Sequence, residues 1–170
     1  MRLFGARLQD IIMKLASTAI VSALLGLLIT APAFASPDVY VVNFRHAKDI
    51  KSQQLDSQLS TALNIAQVNA EEVVIDTTTA AKWEKAAHDA FNRDIVPVFN
   101  KWVGLPGFAA VVDAKSKTII GCIDATRTTT DMANDISTMT RSANGQPRMT
   151  QASTSVAGSP CPATFNQPPR

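Results

Sequence analysis

Two apolar, β-rich runs, Phe108 to Val112 and Thr118 to Ile123, are separated by only five residues, Asp113-Ala114-Lys115-Ser116-Lys117. A parallel return across a sheet takes a dozen residues or more, so these runs can pair only as an antiparallel hairpin. The rest of the chain must be arranged around that unit. Upstream, Val39-Tyr40-Val41-Val42-Asn43-Phe44 and Glu71-Glu72-Val73-Val74-Ile75-Asp76 read as strands. Between them Ile50, Leu55, Leu59, Ala62, Leu63 and Ala66 recur at helical spacing. Two strands joined through a helix are expected to be parallel, with a right-handed crossover.

Further along, Thr77, Thr78 and Thr79 can cap a helix whose apolar face carries Trp83, Ala86, Ala87, Ala90 and Phe91. Pro97 lacks an N–H and clashes with the preceding turn, so that helix should kink or restart, with a second piece over Val98 to Trp102. Gly104-Leu105-Pro106-Gly107 reads as a turn, and Thr130 to Met139 as a last helix with Met132, Ile136 and Met139 on one face. The order is β-α-β-α-β-β-α. It predicts an α/β fold, with a four-stranded mixed sheet of two parallel strands plus an antiparallel hairpin and helices on both faces.

The N-terminus carries sparse positive charge (Arg2, Arg7, Lys14), an apolar run from Leu15 to Thr30, and the ending Ala31-Pro32-Ala33-Phe34-Ala35-Ser36. Small residues at Ala33 and Ala35 after a helix-breaking proline are what signal peptidase requires, which predicts a signal peptide over 1–35 and cleavage before Ser36. The alternative is an uncleaved anchor, since the run is near the lower limit of the ~17–25 residues that span a bilayer. Met13-Lys14 would make a more compact start than Met1. No cysteine follows the run, which argues against a lipoprotein. The expected location is periplasmic or secreted, with no stable membrane insertion after cleavage.

Removing that segment changes the charge. The chain has 16 Lys+Arg and 14 Asp+Glu, and residues 1–35 contain three of the former and one of the latter, leaving 13 of each. With no net charge and no basic stripe, nucleic acid and an anionic membrane surface are not expected partners. The remaining 135 residues suffice for one domain with its own core. The two cysteines, Cys122 and Cys161, suggest a disulfide in an oxidising compartment; unpaired or intermolecular thiols are the alternative. Two cysteines and two scattered histidines do not make a zinc site, and nothing points to a metal or a cofactor.

From Val39 to Met139 the element order, with Leu105-Pro106 directly before the strand Gly107-Phe108-Ala109-Ala110-Val111-Val112-Asp113, resembles the thioredoxin-like superfamily. The resemblance implies a cis Leu105–Pro106 bond before the third core strand and a thioredoxin-like domain over 36–141, while the Ser, Thr, Pro, Gln and Gly of 142–170, with few large apolar groups, read as a flexible tail. It also implies a groove in which backbone beside the proline pairs with an extended peptide, a strand-addition mode of recognition. Conjugation and secretion machines contain exported proteins of this kind, so the implied partner is another envelope protein or an extended peptide.

One departure decides the chemistry. The family's Cys-x-x-Cys would fall at Asp49-Ile50-Lys51-Ser52, yet no cysteine stands between Ser36 and Gly121. Thiol–disulfide exchange needs a thiolate, and neither Asp49 nor Ser52 supplies one. The residues expected to bind are therefore His46, Asp49, Ser52, Leu105, Pro106 and Gly107, with none assigned a catalytic role. Two other readings stay open: an enzyme of another class, such as a hydrolase, with His46 and Asp49 as its centre, and a single-thiol redox protein using Cys122. His46 can equally be a solvated loop residue, with Asp or Ser capping the helix that follows. His88, between Lys85 and Asp89, reads as a surface residue.

Overall fold

A computed structural model describes residues 36–146 and 158–164. The segment read as a signal peptide, 1–35, and most of the segment read as a tail lie outside the described residues. The elements are β1 (Val39–Arg45), α1 (Ile50–Ala66), β2 (Ala70–Asp76), α2 (Ala80–Asn92), α3 (Val96–Trp102), β3 (Phe108–Asp113), β4 (Ile119–Asp124) and α4 (Thr129–Ala143). The four strands form one mixed sheet in the order β2-β1-β3-β4. β1 and β2 are parallel, with Val39 opposite Ala70 and Arg45 opposite Asp76. β1–β3 and β3–β4 are antiparallel, and the β3–β4 register shifts between Val111 and Val112.

The centre of the sheet explains the nearly continuous apolar runs of β1 and β3, broken only by Asn43. β1 and β3 lie inside it and are covered on both faces, so successive residues enter different cores. Tyr40, Val42 and Phe44 of β1, with Phe108, Ala110 and Val112 of β3, face Ala86, Ala90, Ile95, Phe99 and Trp102 from α2 and α3 and their link. Val39, Val41, Ala109 and Val111 face Leu55, Leu59, Met132 and Ile136 from α1 and α4. At the first core's end Phe44 stacks on Phe108 with centroids 5.0 Å apart, and Trp102 meets both rings edge-on. Such geometry suits the quadrupoles of aromatic rings.

Local sequence accounts for the helix ends. Asp49 caps α1, Thr79 caps α2 and Thr128 caps α4, each through a side-chain oxygen that accepts an otherwise unpaired N–H. α2 stops at Asn92, Asp94 takes φ 57°, and the chain restarts at Val96 with Pro97 in the first turn, where no N–H is needed.

Three expected core residues face solvent instead: Ile50 is 79% exposed, Phe91 73% and Trp83 47%. Each helix covers the sheet with one narrow stripe, occupied by Leu55, Leu59 and Ala62 in α1 and by Ala86 and Ala90 in α2. The bulkier neighbours fall on the flanks.

The expected disulfide is present and ties part of the stretch after Arg141 to the domain. α4 continues to Ala143, and residues 158–164 are held against the domain. Cys122 and Cys161 form a disulfide, Ser159 N–H donates to Cys122 O (2.7 Å), and the Arg127 guanidinium donates to Gly158 O (2.8 Å). A covalent bond and directed hydrogen bonds hold this segment where its composition offers little apolar burial.

Candidate binding groove

The loop leaving β1 and the turn entering β3 come together at one end of the sheet. After Arg45 the chain runs through His46 to Asp49, whose carboxylate accepts from Ser52 N–H (2.7 Å) and Ser52 Oγ (2.9 Å). Ser52 is fully buried and its Oγ accepts from His46 N–H (3.2 Å). His46 Nδ1 accepts from Lys48 N–H (3.3 Å), and Asp49 N–H donates to His46 O (2.9 Å). These bonds shape a helix cap. The Asp49 carboxylate serves α1's N-terminus and Ser52, so His46 and Asp49 do not form a dyad.

The turn before β3 differs from what the family resemblance implies. No peptide bond among the described residues is cis, so Leu105–Pro106 is trans. The reversal is made by the flanking glycines, Gly104 at φ 91° and Gly107 at φ 92°, values that L side chains rarely adopt. Gly107 N–H donates to Phe44 O (2.8 Å), and Leu105 N–H donates to Trp102 O (2.9 Å). Gly107 is also where turn and helix touch: a Cβ there would lie 2.9 Å from Lys51 Cβ and 3.1 Å from Asp49 Oδ2.

Around this contact lies a groove of about 400 Å³. Lys51 and Gln54 of α1 form one side, Pro106, Gly107 and Phe108 the second, Asp124 at the end of β4 with Ala125 and Thr126 the third, and Pro162 the fourth. The Gln54 amide donates to Ala125 O (3.0 Å), tying α1 to the end of β4. Burial pushes the Asp124 carboxyl up, but hydrogen bonds from Thr126 and Ser159 and the charge of Arg127 outweigh it and leave the group below the usual carboxylate range. Trp102 Nε1–H donates to Pro162 O (3.0 Å) and fixes the fourth side to α3.

Of the residues singled out in the sequence, Pro106 and Gly107 line this groove, Asp49 approaches it only through Gly107, Leu105 is half-buried against the first core, Ser52 is buried, and His46 sits in the adjoining loop. His88 is exposed on α2, in a different part of the fold. Lys51, Gln54, Phe108, Asp124, Ala125, Thr126 and Pro162 were not anticipated as lining. The available signal was topological: the groove opens where β1 and β4 end and β3 begins, the position where strand-end loops leave crevices in α/β sheets.

Both cysteines of the chain are in the Cys122–Cys161 bond, so the single-thiol redox reading has no thiol to use. Among the described residues no three potential metal ligands cluster together, and no helix is long and apolar enough to cross a membrane. No known family, curated protein or solved structure matches the chain. Fold and site together define an α/β domain with a four-stranded mixed sheet and a disulfide-tied groove at one sheet end.

Proposed function

We propose that this protein is an exported, non-redox binding or assembly module of a bacterial cell envelope, a thioredoxin-like domain that keeps a groove without the dithiol. The observation that carries this reading is the composition of the contact between α1 and the Pro106–Gly107 turn. Where a thioredoxin-like oxidoreductase would carry its thiolate, this chain has a carboxylate engaged as a helix cap and a buried serine bonded to it. The disulfide supports an oxidising compartment, and its buildup from the only two cysteines leaves the groove free of thiols.

The groove's chemistry suits a segment of another envelope protein. Pro106, Phe108 and Pro162 offer apolar contact, Lys51 offers a cation, and Ile50 beside it is exposed. A segment carrying an apolar side chain and a carboxylate fits this set. Its main chain cannot pair fully beside the proline, because Leu105 N–H is already bonded to Trp102. Recognition then rests on side chains at the groove. A hydrolytic centre on His46 and Asp49 is not favoured, since the carboxylate is engaged in the helix cap and the hydroxyl beside it, Ser52 Oγ, is fully buried.

Site-specific photocrosslinking in cells of the source organism tests this. A benzophenone amino acid at Gln54 or Thr126 should trap one envelope protein through one contiguous segment, while the same probe at Ser60, on the solvent side of α1, should not. Equal labelling from all three positions, or none from the groove positions, would refute the binding role. Acceleration of insulin reduction by the isolated protein would refute its non-redox character.

A further inference from the structure

The groove has three sides built from the folded sheet and helices, and a fourth supplied by residues 158–164, a strap that reaches it from outside the β-α-β-α-α-β-β-α order. Among the described residues the strap is held by the Cys122–Cys161 bond, a single bridge between Ser159 and Cys122, and the hydrogen bonds from Arg127 to Gly158, from Trp102 to Pro162 and from the Ser159 side chain to Asp124. Gly158 fits only because it lacks a side chain, its Cβ position lying 2.6 Å from Cys122 O. All the noncovalent bonds involve residues within three positions of Cys161. Once the covalent tie opens, a few hydrogen bonds must offset the strap's ordering entropy, and they fall short.

We propose that the Cys122–Cys161 disulfide is a redox latch that holds Pro162 as the fourth wall of the groove, so that a dithiol reductant opens the groove and releases what it binds. This rests on the binding role proposed above.

Cys122 is buried, whereas Cys161 is partly exposed, so the reductant's thiolate attacks Cys161 Sγ. A mixed disulfide forms there, and Cys122 leaves as a thiolate and takes up a proton. The reductant's second thiol then attacks the mixed disulfide at the reductant sulfur. Cys161 is released as a thiol, and the reductant leaves as its own disulfide. Two electrons and two protons pass from reductant to protein.

The test follows backbone and side-chain N–H resonances of the ¹⁵N-labelled mature protein before and after dithiothreitol, with free thiols titrated alongside. Once two thiols have appeared, Trp102 Nε1–H, the Gln54 side-chain amide and Thr126 N–H should shift while Val74 N–H, on the opposite edge strand, stays in place. Unmoved Trp102 and Thr126 resonances would overturn the latch, as would a general collapse that includes Val74. Crosslinking from Gln54 should fall about tenfold on reduction, in a Cys161→Ser variant, and in Pro162→Gly with its disulfide intact, the scale expected when one apolar contact is lost. An adduct that persists undiminished in all three overturns the proposal. Resonances that move as expected, with no adduct even from oxidised protein, would instead indict the binding role on which the proposal rests.

Discussion

Gly104 and Gly107 make a matched pair. Both have φ near 90°, at 91° and 92°, so replacing either with alanine brings similar backbone strain, about 1–2 kcal/mol. Their surroundings differ. Nothing lies within 4 Å of a Cβ at Gly104, whereas one at Gly107 meets Lys51 Cβ at 2.9 Å and Asp49 Oδ2 at 3.1 Å. Lys51 Cβ is fixed to the helix backbone, and the Asp49 oxygen already caps α1, so neither can retreat without moving the helix end. Overpacking of this kind costs about 1–3 kcal/mol. Gly104→Ala should therefore lose about 1–2 kcal/mol and Gly107→Ala about 2–5 kcal/mol. Urea unfolding of the oxidised mature proteins, with m-values compared, measures both. Equal losses would refute the claim that the turn and α1 are in direct contact, because strain alone would then explain both.

Asp49→Ala removes a cap and leaves Ser52 Oγ without its acceptor, so it should cost about 1–2 kcal/mol in the same assay. Burial pushes the Asp76 carboxyl up, but hydrogen bonds from Thr78 and Lys82 and the Lys82 charge prevail and bring it to about 2. A depressed folded value makes the ionised group stabilising above the unfolded pKa of about 3.9, and that contribution is lost as pH falls through about 2. Asp76→Asn should accordingly flatten the acid-side loss of stability between about pH 4 and pH 2, read from urea midpoints across that window. Cys161→Ser, compared with the oxidised protein, should lose about 4 kcal/mol on the chain-entropy account of a bridge between residues 39 apart, measured by the same unfolding.

Patterns that depend on neighbours along the chain were legible. The five-residue link dictated the hairpin, the β-branched and aromatic run Val39 to Phe44 marked a strand, and Pro97 marked a helix restart. The Asp49–Ser52 cap and the Gly104–Gly107 turn could be read because caps and turns have local chemical signatures. Their meeting with Asp124 to Thr126 could not, since no local pattern records which loops the topology gathers at one sheet end. Pro162 was hidden for a different reason: its stretch is poor in apolar groups, and a covalent bond and the Trp102 indole order it. The cis bond implied by Leu105–Pro106 gave way to two glycines that reverse the chain with every bond trans. Ile50, Trp83 and Phe91 show that helical spacing marks a broader stripe than a narrow sheet covers.

The proposed protein is an exported domain that reaches its compartment with both sulfurs tied and no thiol for redox chemistry. Intact mass of the protein from a periplasmic extract, alkylated without prior reduction, tests all of this at once. The account predicts residues 36–170, lighter by two hydrogens than the reduced chain and carrying no alkyl group. A mass that includes residues 14–35, or one that carries two alkyl groups, would contradict it.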